Sequence, residues 1–244
     1  MAGPLEQFEI KPIVPIQIGD IDISFTNSAL MMVVAVVVTT LFLTLSVRRR
    51  DLVPGRLQNL AELSYEFVAN MLRDNVGSEG RRYFPFIFTL FLFVLLGNLL
   101  GLFPGAFTYT SHIAVTFALA FFIFVAITLI GFARHGMHFL RLFFPEGAPL
   151  AAAPILIPIE VVSYMSRPVS LSVRLFANMT VGHIILKIFA GFVVALGAYF
   201  VLPGVVPLVF LVALIALEFF VAALQAYIFT VLSCIYLNDA INLH

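Results

Sequence analysis

The chain has 244 residues, 62% hydrophobic and 11% charged, with a mean hydropathy of +1.10. Soluble domains carry about 25% charge, so the composition excludes an ordinary water-soluble protein. The formal net charge is zero, which argues against a nucleic-acid surface, and a lone cysteine, Cys234, excludes an internal disulfide.

Long apolar runs without strand-period alternation predict helical spans rather than a barrel. Residues 1–22 are polar enough to lie outside the membrane, with Val14–Ile18 and Ile21–Phe25 flanking a two-residue hairpin turn at Gly19-Asp20. Glu6, Glu9, Asp20 and Asp22 outnumber Lys11 there, so no basic signal-peptide n-region is read. Residues 23–47 hold no charge and exceed the ~20 needed for a span. Arg48-Arg49-Arg50 follows, which makes that end cytoplasmic and the N-terminus external.

Pro54 suits the first turn of a helix over 54–75. Leu57, Leu60, Ala61, Phe67, Val68, Met71 and Leu72 recur at helical spacing, while Glu62, Glu66, Arg73 and Asp74 keep mostly to other faces. The pattern fits an amphipathic helix on the membrane surface or a short helix packed on another subunit. Arg81-Arg82 marks the inside again, and two spans follow at 83–103 and 112–133. Between them lie Phe103-Pro104-Gly105 and the polar cluster Thr108–His112 without Lys or Arg, hence outside. Arg134, His135, His138 and Arg141 are internal; His135 and His138 read as interfacial, since no Cys or carboxylate cluster joins them as metal ligands. Pro145–Pro149 is a turn. Residues 154–190 make a helix interrupted sterically at Pro158 and Pro168, ~55 Å long at ~1.5 Å per residue against a ~30 Å hydrocarbon core, so it tilts or kinks. Leu196–Pro207, with Gly197, Pro203 and Gly204, reads as an external turn before a second long helix over 205–237. The expected fold is an all-α integral membrane protein in one domain. It has five crossing helices plus one amphipathic surface helix, the last two long, strongly tilted and antiparallel.

Ionisable groups at membrane depth cost ~2.5–3.5 kcal/mol on insertion scales and point to function. On a continuous helix Ser163, Arg167, Arg174 and Asn178 fall within about 60° of Glu160, and His183 lies opposite Arg174, ~13.5 Å further along. On the last helix Glu218 and Gln225 share a face, and the antiparallel hairpin brings them to the depth of His183 and Asn178. His183 and Glu218 can exchange protons near neutral pH, whereas Arg174 stays charged and attracts a carboxylate. A fixed Arg174 between two proton-accessible sites blocks a direct leak. A buried structural pair between Arg174 and Glu218 is the alternative. Arg167 reads as a snorkelling residue, Glu160 as either interfacial or functional, Lys187 as a span residue reaching for polar surroundings, and Cys234 as a packing residue.

Arg167-Pro-Val-Ser-Leu-Ser-Val-Arg-Leu-Phe-Ala-Asn-Met-Thr-Val-Gly-His183 resembles the signature of subunit a of the F-type rotary ATP synthase. Glu218 through Gln225-Ala-Tyr-Ile-Phe-Thr-Val-Leu232 resembles that family's last-helix motif, and Gly97-Asn-Leu-Leu-Gly-Leu-Phe-Pro104 an earlier loop. The resemblance gives Arg174 the position of the essential stator arginine, Gln225 the glutamine near it, Asn178 the polar residue one turn on, and Glu160 a carboxylate of the cytoplasmic half-channel. Many bacterial members have Glu at the position of His183 and His at that of Glu218; the exchange here is as in mitochondrial-type members. Gly101 stands where some members have an acid.

The resemblance implies no cofactor and no catalysis by the chain itself. Protons enter past His183 and Glu218, neutralise a carboxylate on a ring of c subunits, and leave on the other side of Arg174 towards Glu160. Implied partners are the c-ring, peripheral-stalk b-type subunits, the lipid bilayer and, indirectly, the F1 sector. The implied location is a bacterial inner membrane, with a mitochondrial inner membrane second, N-terminus out and C-terminus cytoplasmic. The competing expectations are a secondary transporter in which Arg174 binds an anionic solute, and an intramembrane enzyme using His183 and Glu218 as acid and base. The first lacks a convincing inverted repeat, the second a nucleophile.

Overall fold

Among the described residues five helices are long and apolar enough to cross a membrane, and they make this an all-α membrane protein. The computed structural model describes residues 9–18, 21–22, 24–48, 55–103, 106–144, 153–198 and 201–242. The helices are α1 (Asn27–Val47), α2 (Arg56–Val76), α3 (Phe84–Gly101), α4 (Ile113–His135), α5 (Ala153–Gly197) and α6 (Val201–Ile241). Short 3-10 segments, Ser78–Tyr83, Tyr109–Ser111 and Gly136–Phe143, join them. The expected turn residues Gly19, Asp20, Pro104, Gly105 and Pro145–Pro149, the start of the second helix at Pro54, and Arg49 and Arg50 of the basic run lie outside the described residues.

Two small antiparallel ladders precede α1. β1 (Pro12–Val14) pairs with β4 (Phe25–Thr26), and β2 (Gln17–Ile18) with β3 (Ile21–Asp22), Ile18 opposite Ile21. The first crossing helix therefore starts at Asn27, not at residue 23. Phe25 and Thr26 are held in a ladder, and the Thr26 hydroxyl accepts from the Ala29 N–H at 3.3 Å as a side-chain cap. Asn27 secures the junction, donating to the Glu9 carbonyl and accepting from the Lys11 N–H.

Gly77 (φ 78°) ends α2 and Gly136 (φ 57°) ends α4, both in the left-handed region that favours glycine. Hydroxyls inside the apolar helices, such as Thr39, Thr128, Thr230 and Ser233, donate to carbonyls four residues back. They add no unpaired donor to the bilayer.

α5 runs 45 residues and α6 41 residues. At ~1.5 Å per residue these are ~68 and ~62 Å, twice the hydrocarbon thickness, so neither fits upright. Pro158 and Pro168 do not interrupt α5, and Pro207 lies inside α6. Membrane helices tolerate proline because neighbouring groups and local adjustments satisfy the freed carbonyls. Gly197 and Gly204 are not turn residues either. A Cβ on Gly204 would meet the Gly197 backbone at 2.9 Å, so the two glycines let the helices nearly touch.

α6 is the hub, packed on α2, α3, α4 and α5. Its Ala226, Phe229 and Leu237 join Ile87 and Val94 of α3, Ile123 and Ile127 of α4, and Leu171, Leu175 and Met179 of α5 in one core. The α5–α6 pair is antiparallel: Arg167, Asn178 and His183 meet Asp239, Gln225 and Glu218 in that order. In α2 only the C-terminal half, Val68, Met71, Leu72 and Val76, is buried, while Leu57, Leu60 and Leu63 are exposed.

Candidate functional site: a polar seam between two long helices

Leu175, Met179, Gly182 and Leu186 lie along one stripe of α5 at helical spacing, with Leu175 and Met179 fully buried. Asn178 and His183, about 140° apart around the helix, flank this stripe and straddle α6. Asn178 Nδ2 donates to Gln225 Oε1 at 2.7 Å. His183 Nδ1 stands 3.7 Å from Glu218 Oε1. Gln225 and Glu218 are buried at 1% and 7% exposure, where an unpaired polar group is costly.

Glu218 is the conspicuous member. Neither carboxylate oxygen accepts a hydrogen bond among the described residues, and Gln225 Nε2 has no partner either. Glu218 reaches this position because residue 182 is glycine: a Cβ there would come within 2.7 Å of Oε1. The carboxylate faces a cleft of about 560 Å³ whose polar lining is Thr108, His183, Lys187 and Glu218, set among apolar side chains of α3, α5 and α6. Lys187, which the sequence left without a role, thus lines the same cleft as the His183–Glu218 pair.

Arg174 sits apart from that seam. It is exposed and makes no hydrogen bond or ion pair among the described residues. Val181, Ile185 and Ile188, seven, eleven and fourteen positions on, share its stripe within about 40°, and all three are exposed. Glu160 is half-buried and likewise without a polar partner among the described residues. The structure therefore joins Asn178 to Gln225 and His183 to Glu218, and leaves Arg174 and Glu160 outside those contacts.

Arg167 corrects its expected reading. It does not merely reach for the interface. Its Nη1 lies 3.0 Å from Asp239 Oδ2, and its guanidinium sits 5.0 Å from the Tyr164 ring centre and 4.8 Å from that of Tyr236. The signal was available: Tyr164 and Arg167, like Tyr236 and Asp239, are three apart on their helices, the spacing of side-chain neighbours. His135 Nε2 meets the Ile241 carbonyl at 2.9 Å, tying the end of α4 to the end of α6. Among the described residues no group of three His, Cys, Asp or Glu could hold a metal.

The loop before α4 supplies residues that sequence reasoning passed over as an external polar cluster. Thr108, Tyr109, Thr110 and Ser111 are all buried. Tyr109 donates to the Phe93 carbonyl at 3.0 Å, and burial raises its phenol pKa above the ordinary value. A Cβ on Gly97 would collide with the Tyr109 hydroxyl, so this glycine is what lets the loop tuck under α3. The Ser111 carbonyl accepts from Thr180 at 3.2 Å, and Thr108 Oγ1 lies 2.9 Å from His183 Nε2. His112 stacks on Phe107 with ring centres 5.0 Å apart, and its burial lowers its pKa. Asn98 Nδ2 donates to the Ala222 carbonyl at 3.3 Å, which fastens α3 to the same turn of α6. No local periodicity marks a loop for burial. Its one trace is a run of hydroxyls with no charge between two spans.

The model of a family described as ATP synthase A chain matches residues 29–238. This chain belongs to that family. It is 66% identical to ATP synthase subunit a of Paramagnetospirillum magneticum and 64% identical to that of Rhodospirillum rubrum, in each case over the whole of both chains. It is 58% identical to ATP synthase subunit a of Mesorhizobium japonicum, covering 98% of this chain and 96% of the relative. With five apolar helices, membership of the A chain family makes it a multi-pass bacterial membrane protein. It is a membrane-sector subunit of an ATP synthase, taking part in ATP synthesis and proton transport. The polar seam lies wholly within the matched residues.

Proposed function

We propose that the chain is the stator channel of the membrane sector, offering two offset proton half-channels separated by Arg174 and driving rotation of a c-ring. The observation that carries this is the position of Arg174. It is a permanent cation on an exposed apolar stripe, with no hydrogen bond or ion pair among the described residues. Against lipid alone that arrangement is costly; against a partner bearing a membrane carboxylate it is an attractive, reversible contact.

The cleft holding His183, Glu218 and Lys187 supports an aqueous half-channel from the outer side. His183 is nine residues from Arg174, ~13.5 Å along the helix, and Glu160 is fourteen residues the other way, ~21 Å. Protons reach the ring carboxylate past His183 and Glu218. The neutral carboxyl crosses lipid without the cost of a buried charge, and discharge beyond Arg174 leads past Glu160 to the cytoplasm. Asn178, one helical turn on from Arg174, and Gln225 supply a part-buried polar contact between the two half-channels. A membrane potential contributes about 2.3 kcal/mol per charge per 100 mV.

The basic residues after α1 and α4 support an external N-terminus and a cytoplasmic C-terminus. The half-exposed α2 supports a helix lying at the cytoplasmic surface. Peripheral-stalk b-type subunits and, indirectly, the F1 sector complete the assembly. The test is Arg174→Ala in the assembled complex: ATP-driven proton pumping is lost and a passive leak opens. ATP synthesis at the normal rate by that variant would end the proposal.

A further inference from the structure

We infer that Thr108 is a positioning residue that fixes which nitrogen of His183 carries its proton. The inference deepens the proposed function, since it rests on His183 and Glu218 forming the outer proton site.

A threonine hydroxyl has one hydrogen to donate and lone pairs to accept with. Among the described residues Thr108 Oγ1 makes two contacts, 3.0 Å to the Gly101 carbonyl and 2.9 Å to His183 Nε2. The carbonyl can only accept, so the first contact is a hydrogen bond only if Thr108 donates its single hydrogen there. The second is then a hydrogen bond only if Nε2 carries a hydrogen and donates it to Oγ1. The opposite tautomer would make Nε2 an acceptor, and one of the two contacts would become an oxygen or nitrogen lone pair facing another.

The carbonyl at stake matters to the fold. Gly101 is the last residue of α3, where carbonyls lack helical partners. Gly101 is also what allows the approach: a Cβ there would lie 2.5 Å from Thr108 Oγ1. Helix end, glycine, hydroxyl and imidazole thus form one cluster, and the two contacts of Thr108 are both hydrogen bonds under one assignment of hydrogens.

In neutral His183 a hydrogen on Nε2 leaves Nδ1 with a lone pair. Nδ1 is the nitrogen facing Glu218 Oε1, 3.7 Å away. That gap exceeds a hydrogen bond and closes by a side-chain shift or one bridging water. The imidazole then takes a proton at Nδ1 and becomes a cation. Passing it to Oε1 breaks the Nδ1–H bond and forms O–H, so the imidazolium–carboxylate pair becomes neutral imidazole and neutral carboxyl. The Nε2–H bond to Thr108 persists throughout, and the ring does not have to flip between cycles. Without Thr108 both tautomers compete, and the one with hydrogen on Nδ1 presents Glu218 with a donor that has no lone pair to reload.

The test uses the intact complex with ¹³C,¹⁵N-labelled histidine in this subunit, compared by solid-state NMR at pH 8 with the His183→Gln complex to assign the His183 signals. The expected result is a pyrrole-type nitrogen correlated with Cδ2, which identifies Nε2–H. Thr108→Val, equal in shape, should bring up the Nδ1–H form and lower proton-driven ATP synthesis roughly tenfold, the scale of one hydrogen bond. Thr108→Ser should restore both the signal and the rate. Wild-type His183 found as Nδ1–H or as imidazolium, or a Thr108→Val complex with an unchanged tautomer, overturns the inference. Normal ATP synthesis by His183→Gln would instead count against the proposed function, while leaving the tautomer result intact.

Discussion

Gly182 and Glu218 share one piece of space: the room a side chain would take on α5 is occupied by a carboxylate oxygen from α6, 2.7 Å from where a Cβ would lie. The obstructed atom is the end of a flexible side chain, so Gly182→Ala should leave the complex assembled but displace Oε1 from His183 Nδ1. Proton pumping should fall, and shortening the acid with Glu218→Asp in the same chain should recover part of the loss. A double-mutant cycle on pumping rates should give a coupling of about 1 kcal/mol or more. Strict additivity would mean that the two positions do not compete.

Asn178 and Gln225 are a second linked pair. Asn178→Ala removes the only hydrogen bond that a described residue makes to the Gln225 side chain, which is 1% exposed. The orphaned amide should cost about 1–3 kcal/mol of subunit stability. Adding Gln225→Leu should return most of it, because an apolar pair leaves nothing unsatisfied. Thermal melting of the purified membrane sector reads both effects. A single Asn178→Ala change with no loss would contradict the geometry.

The Arg167–Asp239 ion pair should contribute little to stability. The two side chains are 23% and 32% exposed, and such an ion pair is worth no more than ~1 kcal/mol. Arg167→Ala should lose more than Asp239→Asn, because it also removes the contacts with Tyr164 and Tyr236, about 0.5–1 kcal/mol each. Equal losses in the two variants would mean that the rings contribute nothing.

His112 gives a dependence on pH. Burial lowers its pKa below the ordinary value, so the folded loop binds a proton less readily than the unfolded chain. Its stabilising contribution is complete above about pH 6.5 and is lost as pH falls below that value, because the unfolded state then takes up the proton first. Protection factors over 106–112, that is, exchange corrected for its intrinsic pH dependence, should therefore fall between pH 7.5 and 5.5. His112→Phe should remove that change; an undiminished change would assign the effect to another group.

Much of the architecture was legible because hydropathy adds up over a span. Five apolar runs needed no knowledge of their neighbours, and the charge-free break after α3 already separated two of them. The boundaries were less legible where one residue type serves two purposes. Gly197 and Gly204 have the composition of a turn, but here they permit contact between helices. Pro207 would end a helix in water but is held within one here. At the seam, spacing placed Asn178, His183, Glu218 and Gln225 on two helices at matching depths. The partnership of Thr108 with His183 spans 75 residues, and neither residue's local context contains it. Arg167 was misjudged for the same reason, since its acid lies on the other helix.

The proposed topology has five crossings, an odd number, and so would put the ladder of β1 and β4 and the last turn of α6 in different compartments whichever way the chain inserts. On that topology a membrane-impermeant label added to sealed vesicles should reach one of these two segments and spare the other.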